Sequence, residues 1–122
     1  MNRRTFEQVV AEALDALPEE IARHLENVVV AVEDRPSTEL LEEEGIDDPM
    51  GLYGYYLGTP MTERSVADSG TLPDQILIFQ RPLEIDFPDR RELIHEIQVT
   101  VAHEVAHVFG LDEQRLAELG LE

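Results

Sequence analysis

The stretch DRRELIHEIQVTVAHEVAHVFGLDE, residues 89–113, contains no proline or glycine between Arg90 and Phe109. Asp89 followed three residues later by Glu92 is a helix-start pattern, and Gly110 is the residue type that ends a helix in a left-handed conformation. One long helix near the C-terminus is therefore expected. Ile94, Ile97, Val101, Val105 and Val108 repeat at helical spacing, with Ala102, Ala106 and Phe109 widening the stripe. Glu96, Thr100, His103 and His107 fall on another face. This pattern describes a mostly buried helix that presents a narrow polar strip to a cavity.

The strip has the spacing of a metal site. Ligand atoms must converge from one side, and positions four apart on a helix lie one turn apart on the same face, which His103 and His107 satisfy. Glu104, beside the first histidine, projects sideways and can reach a water next to a metal without being a ligand. A third donor must come from beyond Gly110, where a sharp turn brings either Glu113 or Asp112 back. A chain of this composition produces His-acid-x-x-His by chance in about 3% of arrangements. Requiring Gly110 and a carboxylate at 113 lowers that to on the order of 4 in 10,000. The competing reading is a polar helix edge that happens to carry two histidines. His95 reads as a surface group or one that supports a ligand from behind, and His24 as incidental, while Glu96 and Thr100 are candidates to orient a ligand imidazole through its free nitrogen.

Upstream, Phe6, Val10, Ala13, Leu14 and Leu17 mark an opening helix, and Pro18 is placed to start a short second one through Ile21 and Leu25. NVVVAVED (27–34) is β-branched and reads as a strand buried on at least one face. Residues 37–44 form a short helix pattern, with Ser37 as cap and Gly45 as terminator. GLYGYYLG (51–58) and QILIFQRPL (75–83) read as strands, the second stopped by Pro82, with a loop over 59–74 between them. The three tyrosines of 53–56 read as packing, with donation to an oxyanion as the alternative.

At 122 residues, 43% of them hydrophobic, the chain suits one domain over 1–122 with a single core. The absence of cysteine excludes disulfides and thiolate ligands, so a transition metal must use His, Asp or Glu. A formal net charge of -18, from 27 acidic residues against 9 basic ones, argues against nucleic acid and membrane surfaces as partners. It would attract cationic peptides or metal ions, and its plainer reading is a solvated acidic surface that only aids solubility. The first residues, MNRRTFEQVVAEALDALPEE, place carboxylates where a signal peptide has its apolar segment, so a cytoplasmic location is expected.

HEVAHVFGLDEQRLAELG, together with FEQVVAEALDALPEEI, NVVVAVEDRP, LYGYYLGTP and LPDQILIFQRPLE, resembles the short bacterial zincin-like family of neutral zinc metallopeptidases over nearly the whole chain. The resemblance implies an α+β minimal zincin fold, with a mixed sheet of about three or four strands flanked by helices and a long active-site helix. It implies Zn2+ held by His103, His107 and Glu113, Glu104 as catalytic base, and a peptide or protein substrate. The usual third ligand in that family is Asp, whereas this chain has Glu113 preceded by Asp112. No methionine follows Gly110, and the twelve residues after it hold no tyrosine or histidine to support an oxyanion. Three functions therefore stand open: a zinc peptidase, a zinc-binding module with incomplete catalytic machinery, and a metal-free interaction domain.

Overall fold

The computed structural model describes residues 1–58 and 73–122. The expected loop over 59–74 lies outside the described residues except for Pro73 and Asp74, and Asp74 already belongs to a strand. The elements run α1 (Arg3–Asp15), α2 (Glu19–Ala22) with a 3-10 turn (Arg23–Leu25), β1 (Val28–Glu33), α3 (Thr38–Glu44), β2 (Gly54–Leu57), β3 (Asp74–Phe79), α4 (Gln80–Asp86), α5 (Arg90–Phe109) and α6 (Glu113–Glu118). The three strands form one mixed sheet in the order β1-β3-β2, with β1 parallel and β2 antiparallel to β3. This is the small α+β architecture expected from the sequence.

Strand alternation decides which face of the sheet is covered. Register places Val30, Ile76 and Tyr56 in one cross-strand row and Val32, Ile78 and Gly54 in the next, and side chains two apart share a face. Ile76 and Ile78 are fully buried, Val28, Val30 and Val32 pack on the core, and Val29 on the opposite face is exposed. The helices supply the other half of that core through Phe6, Val9 and Ala13 of α1 and Ile97, Val101 and Val105 of α5. Burying each of the Phe, Val and Ile side chains contributes about 1.5–3 kcal/mol. Among the described residues no helix is long and apolar enough to cross a membrane.

Local chemistry sets the helix ends. The Asp89 carboxylate accepts from the N–H groups of Arg91 (2.8 Å) and Glu92 (3.2 Å), and Gly110 closes α5 at φ 71°. Ser37 caps α3 by accepting from Leu40 N at 3.1 Å, and Gly45 ends it at φ 68°. Tyr53 of the β2 approach donates to Asp86 at the end of α4. That bond, followed by burial and the negative charge of Asp86, pushes the tyrosine pKa up to about 12.

Three expectations need correction. QILIFQRPL is not a strand to Leu83: β3 stops at Phe79 and α4 begins at Gln80. Pro82 falls in the first turn of α4, where a missing N–H leaves no intrahelical bond unmade, so it opens a helix there and does not merely end a strand. Gln80 fixes the switch, because its side-chain amide donates to Met1 O (2.9 Å) and to Glu84 (3.0 Å). The buried stripe of α5 runs through Leu93, Ile97, Val101 and Val105, with Ala102 and Ala106, and Val108 is exposed. The strand over 51–58 shortens to Gly54–Leu57.

Candidate active site

His103, Glu104 and His107 arise from the last two turns of α5, which packs against β2 and β3. His103 and Glu104 are half-buried, and His107 is exposed. Neither imidazole makes a side-chain hydrogen bond among the described residues, so both keep nitrogen lone pairs for a ligand.

Glu104 is held by β2. Its Oε1 accepts from the backbone N–H of Tyr56 at 2.7 Å. The reason lies in antiparallel alternation: Phe79 N donates to Tyr53 O at 2.9 Å, so Tyr53, Tyr55 and Leu57 turn their backbones to β3, while Gly54 and Tyr56 turn theirs to the outer edge. The edge that a fourth strand would occupy therefore faces Glu104. Burial pushes the Glu104 carboxyl above the usual range, and the negative charge of Glu44 adds to the rise. The Tyr56 N–H bond, His107 and His103 oppose it.

Gly54 makes that approach of strand to helix feasible. A Cβ there would lie 2.6 Å from the Thr100 methyl and 3.0 Å from Leu77 O. Thr100 cannot rotate away freely, because its hydroxyl donates to Glu96 O at 2.7 Å. Among the described residues Thr100 makes no hydrogen bond to either imidazole of the motif, which the sequence had suggested it could orient; it spaces β2 from α5 one turn before Glu104. Gly54→Ala is expected to destabilise the fold by about 1–3 kcal/mol through overpacking and to shift β2 from Glu104. Urea unfolding measures the first effect, and an unchanged midpoint would remove Gly54 from this role.

A cleft of about 220 Å3 opens beside the strip. Glu104, His107 and Val108 of α5 line it with Leu52, Gly54, Tyr55 and Tyr56 from β2 and its approach, and Glu44 from α3. A larger cavity of about 620 Å3 lies around α3, between Arg35, Glu42 and Pro49, and contains none of the candidate residues. Two of the three tyrosine hydroxyls donate to carboxylates, Tyr53 to Asp86 and Tyr56 to Asp74 (2.6 Å), in keeping with a packing role. His95 is exposed, as expected. His24 is better integrated than expected, its ring stacked 4.7 Å from that of Phe109 and its Nε2 buried without a hydrogen-bond partner among the described residues.

The carboxylates after Gly110 take different roles. Asp112 caps α6, accepting from Gln114 N at 2.9 Å, whereas Glu113 opens α6 exposed and makes no side-chain bond among the described residues. Among those residues, no three His, Asp or Glu side chains stand close enough to hold a metal ion. The structure thus brings His103, Glu104 and His107 to one stretch of α5, and leaves Glu113 outside that group.

The sequence reading missed Glu44, Gly54 and the Tyr56 N–H. A glycine between aromatic strand residues was the available signal for close backbone approach; nothing local announced Glu44.

Comparison with known families matches residues 25–121 to the family described as zincin-like metallopeptidase. No curated protein matches the chain significantly.

Proposed function

Because the chain belongs to the zincin-like metallopeptidase family, we propose that it is a zinc-dependent peptidase in which His103, His107 and Glu113 hold the ion and Glu104 moves the proton. The observation that carries this reading is Glu104 fixed on Tyr56 N–H at 2.7 Å, beside two imidazoles that make no side-chain bond among the described residues. The donor set suits zinc: two imidazoles, one carboxylate and no thiolate. When bound, zinc polarises a scissile carbonyl and acidifies water.

The protein's own groups supply the rest. With one oxygen of Glu104 on the Tyr56 N–H, the other is left to take a proton from the attacking water and pass it to the leaving amine. A carboxyl raised by burial is better matched to that exchange near neutral pH than an exposed one. The outward-turned edge of β2 at Gly54 suits an extended peptide, which would add there as a further strand beside Glu104.

A zinc-binding module without turnover is the second reading. It draws support from the third donor, which stands apart from the histidine pair.

The test is metal content of protein purified without chelator or nickel resin, beside His103→Ala, followed by incubation with a broad peptide library. Near-stoichiometric zinc that the variant loses, together with cleavage, is the expected outcome. Zinc without cleavage would favour the second reading, and no uptake after zinc titration would overturn both.

A further inference from the structure

We infer that Glu44 determines specificity, making the cleft beside Glu104 a subsite for a cationic side chain, arginine or lysine, of the peptide. This inference rests on the peptidase reading for the identity of the ligand as substrate.

Glu44 is the last residue of α3, and its position is fixed from both sides. After it, Gly45 takes φ 68°, a left-handed conformation that a side chain would strain. The turn is closed by Ile46 N to Leu41 O at 2.9 Å and by Gly45 N to Glu42 O at 3.2 Å. At the other end of α3, the Ser37 cap holds the first turn. The carboxylate therefore projects from a rigid corner into the cleft that holds Glu104 and His107.

The surroundings of Glu44 favour a cation from outside. Among the described residues no arginine lines the cleft and Glu44 makes no ion pair, although Arg81, Arg90 and Arg115 all pair with carboxylates elsewhere. Leu52, Tyr56 and Val108 give apolar wall on the way in. Arginine and lysine bury their methylene stems along such surface while presenting charge at the tip. A volume of about 220 Å3 is on the scale of one long side chain, not of a folded partner. The net charge of -18 draws cationic peptides to the whole surface, but Glu44 is the charge that discriminates at the cleft.

The test uses Glu104→Gln protein, which leaves peptide intact, and two alanine octapeptides that differ only in a central arginine or norleucine. Binding is followed by NMR shifts of the β2 amides. The arginine peptide is expected to bind about fivefold more tightly, within the range of an exposed ion pair. Adding Glu44→Gln is expected to erase that difference and leave norleucine binding unchanged. Equal binding of the two peptides, including no binding by either, overturns the subsite, as does a Glu44→Gln effect that weakens both alike. Wild-type protein incubated with the arginine peptide separates the two ideas: preference without hydrolysis sinks only the peptidase reading, and hydrolysis without preference sinks only the subsite.

Discussion

Replacing Glu104 by Gln is expected to lower peptide hydrolysis by about 10²–10⁴-fold, the usual contribution of a positioned acid–base group, with zinc content unchanged. The amide oxygen of glutamine can still accept from Tyr56 N–H, so the side chain keeps its place and loses only its capacity to take a proton. The loss should consequently fall on kcat with little change in KM. Stability supplies an independent readout. In the metal-free protein, burial raises the Glu104 pKa above its unfolded value. Its contribution to stability is then greatest below the unfolded pKa and declines as pH rises through the folded one. At neutral pH the buried charge works against folding, and a neutral isostere relieves it. Glu104→Gln should hold or raise Tm at pH 7. A variant that cleaves at the wild-type rate would exclude the proton-transfer role, and a lowered Tm would show that the carboxylate is structural.

The parts of this site legible in the sequence are those that depend on a single helix. Asp89, Gly110 and the apolar stripe between them bound α5, and spacing alone places His103 and His107 one turn apart on it. Stripe phase was less secure, because α5 has apolar residues on most of its circumference. Packing chose Leu93 over Val108 through contacts with α1 and the sheet that no local pattern encodes. The same holds for α4. Gln80–Asp86 follows a strand directly, and only the buried Gln80 amide, bonded to Met1 and Glu84 far along and near in the chain, shows why the backbone turns there. Glu44, Gly54 and Tyr56 reach the site through tertiary contact between α3, β2 and α5, so their roles follow from register and not from motif.

On the proposed zinc site, that distinction favours Glu113, which the sequence reading already prefers, over Asp112 as third donor. Glu113→Ala is expected to weaken zinc binding by at least about a hundredfold, more than the 10–100-fold typical for groups that only support a ligand. Asp112→Ala is expected to cost about 1 kcal/mol of stability, the usual cost of losing a helix cap, and to leave zinc stoichiometry intact. The asymmetry comes from their bonds: Asp112 accepts from Gln114 N at 2.9 Å and so opens α6, while Glu113 is exposed and uncommitted among the described residues. α6 itself is anchored behind Glu113 by buried Leu116 and by Arg115, which pairs with Glu20 of α2 and Glu118. A third donor must come to the histidine pair, and Glu113 can do so without undoing a cap. Glu113→Asp keeps a carboxylate and should retain most of the affinity that Glu113→Ala loses. Competitive titration against a chromogenic chelator measures all three variants on one scale. If Asp112→Ala abolishes binding while Glu113→Ala preserves it, the assignment reverses, and α6 must then open from a different cap when the ion is held.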